Sequence, residues 1–539
     1  MGLLYYRKYP KPHDSNNLLS WNAFIASIRA CICYAGFLLL LINSAAGQEA
    51  MLEKLLTIPK QNTTLYNALN LISQKADVLF IYDSQVVENN KRVKLEARNE
   101  PLHQVLDEIL TSPGISYKVI GQHILIYNKN KEVLKANKKQ AEFTAKDSIR
   151  KILVRGNIYD NESKAVIPYA TIGIEEENIG TISNADGFFQ LKVPASFAGS
   201  SLIVSCMGYL SQGIPLELLN EQQVDIYLSP RIISIQEVII RYIDPNTIVQ
   251  KAIKQLELNY SSEPVYMTSF YREGVQKNKK YISYSEAVFK VYKSAYTRDE
   301  HSDQVKLLKS RKIQNERADD TVYVKLKAGI QTALQLDIVK CIPGFLDLNP
   351  PVNYTYTYSD LVSFNARDAY AITFVQNEDV KEALFSGTLF IDKENYAILG
   401  AEFEMNPAYL DIAAADLVLK KSRRLNVKFE KISYTVSYTK FNGKYYLNHA
   451  RCDMNLKTRL RNHLSSDNFT TFLEFASCRI DTVNVTKFAK QEVLKPAMVF
   501  SEAAFDNNDS FWYDYNTIAP EEKLSEALSR IIGKIEEVK

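Results

Sequence analysis

Apolar positions along this chain change their spacing several times, and each change marks an element. Thr64 is suited to cap a helix, and after it Leu65, Ala68, Leu69, Ile72 and Ala76 recur at helical intervals. Val78-Leu-Phe-Ile-Tyr82 then reads as a strand, and Val93-Lys-Leu-Glu-Ala97 alternates cleanly as another. Pro101 falls where a first helical turn accepts it, and Leu102, Val105, Leu106, Ile109 and Leu110 make a second apolar helix face. Pro113-Gly114 stops that helix, and Ile115 to Tyr127 predicts a hairpin about Gly121-Gln122. Residues 48–128 thus make a small α+β domain with a strand on either side of each helix.

Residues 129–151 are rich in Lys, Glu, Ala and Asn with almost no periodic apolar face, which predicts a solvated linker or a helical spacer. Over 152–241 short alternating strands are separated by turns at regular spacing, the pattern of a β-sandwich. Asp186-Gly187 is its strongest hairpin signal, because Gly takes φ > 0 without strain. A helix follows, with Asn246 as cap and Ile248, Val249, Ala252, Ile253 and Leu256 on one face.

From Tyr266 onward long strands dominate residues 242–539. Tyr354-Thr-Tyr-Thr-Tyr358 and Tyr370-Ala-Ile-Thr-Phe374 alternate strictly. Gly387 to Asp392 and Ala397 to Phe403 predict a hairpin, and Asn442-Gly443 is a type I′ turn signal between two more strands. An amphipathic helix is expected over Pro520 to Val538. Three architectures fit: a small outer-membrane barrel, a curved half-barrel sheet and a plain antiparallel sandwich. Charges on both faces and the terminal helix weigh against the barrel, and the curved sheet is the expectation carried forward.

Composition sharpens this reading. With 33 Tyr and 24 Phe the chain is richer in aromatics than a helical protein needs, in keeping with a β-rich multidomain fold. A formal charge of +3 over 539 residues gives no reason to expect a nucleic-acid partner. Arg7, Lys8, Lys11 and Arg29 precede an apolar run from Cys31 to Ile42, and the small residues Ser44-Ala-Ala-Gly47 follow. That order is the pattern of a secretory signal over residues 1–47, with the mature chain starting at Gln48. An uncleaved anchor is the alternative, although the run falls short of the ~20 residues that span a bilayer. Beyond the signal lie Cys206, Cys341, Cys452 and Cys478, without zinc spacing. Cys452 and Cys478 are the closest pair in sequence and an oxidising compartment permits a disulfide, but four scattered Cys fit ordinary buried thiols better.

Two stretches resemble known families. Leu56 to Leu69, Val78 to Tyr82, Val93-Lys-Leu95, Pro101 to Leu106 and Ile124-Leu-Ile126 follow, in order, the pattern of the secretin/TonB short N-terminal (STN) domain. That resemblance implies a periplasmic protein-interaction module. Gly156-Asn-Ile-Tyr-Asp160, Asn184-Ala-Asp-Gly-Phe-Phe189, Met207-Gly-Tyr209 and Ile235-Gln-Glu-Val-Ile-Ile240 resemble the carboxypeptidase-regulatory-like domain, with Asn184 to Phe189 departing from the usual Thr-Asp-x-x-Gly form. This family is the accessory sandwich of carboxypeptidases and carries no zinc chemistry. Ile235 to Ile240 also resembles the link into the plug of a TonB-dependent receptor. No plug-like sequence follows, and a barrel of about 22 strands does not fit in what remains. The region around Asp392 to Ile398 resembles uncharacterised sequences that often follow such sandwiches.

No phosphate loop, nucleophile elbow, HExxH, HxxE or EF-hand pattern is present, and the six His are scattered. No catalytic, cofactor-binding or metal residue is therefore singled out. Arg272-Glu273 beside Phe270-Tyr271 reads as a structural ion pair, and Lys420-Lys-Ser-Arg-Arg424 as a solvated basic loop. The expected function is that of an envelope binding or scaffold protein, not an enzyme, whose partners are outer-membrane or TonB-linked proteins. The alternative is a carrier or sensor holding an apolar or glycan ligand in the concavity of the C-terminal sheet.

Overall fold

The computed structural model of the protein describes residues 51–76, 78–82, 91–111, 115–120, 123–128, 151–175, 177–219, 223–234, 244–296, 303–314, 324–326, 329–347, 353–364, 367–421, 424–461, 463, 465–494 and 515–521. The chain divides into two compact units, Met1–Glu142 and Phe143–Lys539. The linker over 129–150, Pro113-Gly114, Gly121-Gln122, Ile235 to Ile240 and all but the first two residues of the expected terminal helix lie outside the described residues. Pro520 and Glu521 are described and are not helical.

The first unit runs β1 (Leu55–Thr64), α1 (Leu65–Ala76), β2 (Leu79–Tyr82), β3 (Arg92–Pro101), α2 (Leu102–Ile109), β4 (Ile115–Ile120) and β5 (His123–Asn128). β1 pairs antiparallel with β3, while β5 lies between β2, its parallel neighbour, and antiparallel β4. The Thr64 hydroxyl accepts the Asn67 N–H at 3.3 Å, as its place before the apolar face predicts. Pro101 is the residue that caps α2 in extended backbone and not a member of its first turn. The apolar stripes of both helices, Ala68, Ile72, Val105 and Leu106 among them, close on Ile124 and Ile126 in one buried core. Each such aliphatic side chain contributes roughly 1.5–3 kcal/mol by leaving water.

The second unit opens with a sandwich whose first strand starts at Lys151, the last residue assigned to the linker. Its strands are β6 (Lys151–Asp160), β7 (Thr171–Ile174), β8 (Gly180–Ile182), β9 (Phe188–Pro194), β10 (Ser201–Ser205), β11 (Gln212–Pro215) and β12 (Gln223–Leu228). One sheet has the order β11-β10-β7-β8 and the other β12-β6-β9. Asp186-Gly187 does turn tightly, with Gly187 at φ 74°. It is not the apex of a hairpin ladder, however, because β8 and β9 belong to different sheets. Asn184 governs the crossover: its side-chain oxygen accepts from the N–H groups of Asp186 and Phe188, at 3.0 and 2.9 Å.

The rest of the unit is built on β13 (Ile232–Ser234), α3 (Pro245–Lys254), α4 (Leu256–Asn259), β14 (Val265–Lys277), β15 (Lys280–Lys293), β16 (Gln304–Gln314), β17 (Val324–Leu326), α5 (Ile330–Gln335), β18 (Tyr354–Phe364), β19 (Arg367–Gln376), β20 (Phe385–Asp392), β21 (Ile398–Met405), α6 (Leu410–Leu417), β22 (Val418–Lys421), β23 (Leu425–Phe441), β24 (Lys444–Leu460) and β25 (Asp467–Asp481). Among the described residues, eleven strands form one antiparallel sheet in the order β13-β18-β19-β20-β21-β23-β24-β25-β14-β15-β16, which does not close into a barrel. The cap of α3 is Asp244 and not Asn246. Pro245 occupies the first helical position, so the Asp244 carboxylate is the group in reach of the Asn246 N–H. Asn442 and Gly443 have φ 48° and 78°, the left-handed pair a type I′ turn needs between two 17-residue strands. Lys420 and Lys421 lie in β22, paired with β17, so the basic cluster is not wholly a loop.

The two faces of the large sheet are covered differently. On one face Tyr260, Ile338, Val339, Phe345 and Leu346, from segments outside the sheet, pack into the main core with Phe374, Phe429 and Tyr438. Side chains from outside the sheet thus cover part of this face. On the other face a smaller cluster gathers Ile182 of the sandwich, Phe270, Val288, Ala476, Cys478 and Ile518.

Candidate functional site

Charged side chains inside a sheet must be compensated by neighbours, since burying an isolated ion is prohibitive. Here the compensation runs across the strands. On the sandwich-facing side, Arg451 of β24 stands opposite Glu474 of β25, which stands opposite Arg272 of β14. Arg272 in turn faces Glu286 of β15, and Glu286 faces Arg311 of β16. Five adjacent strands therefore carry one continuous row of alternating sign. Arg272 and Glu474 are both fully buried, and the Arg272 Nε donates to Glu474 at 2.5 Å. The far side of the Arg272 guanidinium donates to both oxygens of Glu521, at 2.7 and 3.3 Å. His449 Nε2 lies 2.9 Å from the other Glu474 oxygen, and Arg451 forks onto Asp453 with two contacts of 2.7 Å. Burial alone pushes the Glu474 carboxyl up, but Arg272, Arg451 and the His449 hydrogen bond outweigh it and hold the group well below the carboxylate range.

Arg272 and Glu273 do not pair with each other. Successive strand residues point to opposite faces, so Arg272 joins the charge row while Glu273 accepts the Tyr271 hydroxyl at 2.6 Å on the other side. The same alternation separates the two cysteines. Cys452 packs in the main core and Cys478 in the cluster on the opposite face, and both are free thiols. Burial pushes Cys478 up to about 12 and raises Cys452 as well.

A second ionic group sits on the opposite, main-core face. The Lys293 ammonium lies 3.0 Å from Asp303 and 2.8 Å from Asp337. Lys340 donates to Asp303 at 2.8 Å and to Ser294 Oγ at 2.6 Å. The Tyr438 hydroxyl donates to Asp337 at 2.8 Å and accepts the Val339 N–H at 3.2 Å. Burial would lower Lys293, but the two aspartates raise it; burial would raise Asp303, but the two lysines lower it. Lys340 is lowered, first by burial and then by the charge on Lys293. Near Asp392, which the sequence pattern marks, the carboxylate caps its own turn by accepting from Glu394 and Asn395 and pairs with Arg367 at 2.7 Å.

Each of these buried charges has at least one partner of opposite sign. Among the described residues no three His, Cys, Asp or Glu are placed to hold a metal ion. Sequence reading passed over the charge row, yet part of it carried a signal: His449, Arg451 and Asp453 recur at period two within a strand whose neighbours are apolar. The rest had none, because Glu474 and Arg272 lie 202 positions apart.

Known families match the N-terminal half. The family model described as secretin and TonB N terminus short domain matches residues 78–129, and that of the CarboxypepD_reg-like domain matches 154–240. The chain carries an STN domain followed by a carboxypeptidase-regulatory-like domain. The STN match begins at Val78, just before β2, while β1 and α1, which precede it, share one apolar core with the matched strands. No curated protein sequence matches the chain. Among solved structures, a DUF1329 family protein from Desulfovibrio piger aligns at 12% identity over 45% of this chain and 96% of its own, with TM-score 0.21. A structure titled for lipid–protein interactions in lipovitellin aligns at 8% identity over 43% of this chain and 26% of its own, also with TM-score 0.21. The FpvAI–pyocin S2 complex aligns at 11% identity, covering 76% of this chain and 59% of the other, with TM-score 0.14. Scores this low do not establish a shared fold.

Proposed function

We propose that the protein is an exported binding or scaffold protein of the Gram-negative envelope, active at the periplasmic face of the outer membrane and without a catalytic site. The observation that carries this reading is the order of its modules. An STN domain, a type found in TonB-dependent and secretin-type envelope proteins, leads into a carboxypeptidase-regulatory-like sandwich. The basic, apolar, small-residue order of residues 1–47 supports export, with Gln48 as the mature N-terminus. The side chains that pack onto one face of the large sheet from outside it support the scaffold reading.

Crosslinking intact envelopes and isolating the protein tests the partner class. Recovery of an outer-membrane or TonB-linked protein is expected, and its absence removes the reading. Fractionation with N-terminal sequencing tests location separately. An intact Met1 in the inner membrane overturns the cleaved signal, and a cytosolic pool overturns the envelope assignment.

A further inference from the structure

Residues 515–521, Tyr-Asn-Thr-Ile-Ala-Pro-Glu, lie along the junction of the sandwich and the large sheet, and four of their seven backbone carbonyls accept from a side chain. Lys192 Nζ donates to the Tyr515 carbonyl at 3.1 Å, Thr181 Oγ1 to Thr517 at 3.1 Å and Asn184 Nδ2 to Pro520 at 3.0 Å. Arg272 Nη1 reaches the Ala519 carbonyl at 3.5 Å. The Asn516 amide pairs with the edge of β9, accepting the Lys192 N–H at 2.7 Å and donating to the Lys192 carbonyl at 3.1 Å. Ile518, at 2% exposure, enters the apolar cluster of Ile182, Phe270, Val288, Ala476 and Cys478. Glu521 closes the contact with its carboxylate on the guanidinium of Arg272.

Three of the donors, Thr181, Asn184 and Arg272, are themselves no more than 1% exposed. Each is directed at a segment whose sequence is more than 200 positions away. Buried donors aimed at the main chain, one apolar socket and one arginine for a terminal acid are the parts of a site that reads an extended peptide. Asn184 fits the role closely: its oxygen organises the sheet crossover, while its nitrogen serves the segment. Pro520 brings no N–H that the site would have to satisfy.

We propose that this junction is a peptide-recognition groove for an extended segment of apolar–small–Pro–acidic chemistry, and that residues 515–521 are the occupant the chain supplies in cis. The same groove accepts that segment in trans when the internal copy is weakened. The proposal goes beyond the envelope role and does not depend on it.

A fluorescein-labelled peptide of residues 515–521 is titrated into the full chain, wild type and Ile518→Asp/Glu521→Gln. The internal segment competes in the wild type, so the variant is expected to bind the peptide at least about tenfold more tightly. Adding Arg272→Ala to the variant is expected to abolish binding, and a peptide carrying the same two changes is expected not to bind. Absence of binding to a folded variant, or equal binding with and without Arg272, overturns the proposal. Should the variant not fold, a protease site placed within residues 495–514 of the otherwise native chain supplies the test. After cleavage the C-terminal fragment is expected to co-elute with the body and to leave when excess wild-type peptide is added, but not when the doubly changed peptide is. Immediate release of the fragment, or its retention against excess peptide, overturns it.

Discussion

Replacing Glu474 by glutamine removes the negative charge at the middle of the buried row while keeping the side-chain volume. Arg272 would retain Glu521 and Arg451 would retain Asp453, but the fully buried oxygens that serve Arg272, Arg451 and His449 would lose their charge. Breaking a buried pair from one side costs about 3–5 kcal/mol, because the remaining ions stay desolvated with part of their counter-charge removed. Glu394→Gln is the control. Its partner Arg367 keeps Asp392, and Glu394 is 73% exposed, so a loss of about 0–1 kcal/mol is expected. Urea unfolding followed by far- and near-UV circular dichroism measures both. The double change Arg272→Met with Glu474→Leu separates pairing from packing: both ions leave together, and the cycle should show a coupling of roughly 1–3 kcal/mol. A loss below about 1 kcal/mol for Glu474→Gln, or strictly additive single effects, would refute the claim that this row acts as one compensated unit.

Acidification should act on the same groups. Glu474 and Asp303 are held below their unfolded values near 4.3 and 3.9, so the stability they confer is present above those values and is lost as pH falls from them through the lower folded values; urea midpoints measured between neutral pH and pH 3 should fall at the acid end, and less steeply in Glu474→Gln. On the opposite face, Asp337→Asn leaves Lys293 with Asp303 alone and should cost about 3 kcal/mol, against about 1–2 kcal/mol for Tyr438→Phe, both read from urea midpoints. A Cβ on Gly387 would meet the Cα of Phe403 at 2.5 Å across the β20–β21 ladder, so Gly387→Val should cost about 3 kcal/mol by the same assay. Cys452 and Cys478 should both be alkylated after denaturation without reductant; a mass showing them linked would contradict their placement on opposite faces.

Much of the fold was legible because its signals are local. Period-3.6 apolar runs placed α1 and α2, period-2 runs placed the long strands, and Asn442-Gly443 marked its turn because both residues tolerate φ > 0. The errors were local competitions decided by a neighbour. Pro245 at the first helical position moved the cap of α3 from Asn246 to Asp244, and Pro101 capped α2 in extended backbone. Asp186-Gly187 formed its turn, but whether the strands beside it pair or separate depends on β6 and β7, which compete for them.

By itself the sequence determined the module order, the element types and the alternation that makes each strand two-faced. Only the tertiary structure decided what each face meets. Strand order, the cross-strand row from Arg451 to Arg311, and the seating of residues 515–521 join positions hundreds of residues apart. The physical reason is that hydrogen-bond ladders repeat along every strand and do not name their neighbour. The neighbour is selected by burial and charge compensation, summed over the whole assembled sheet.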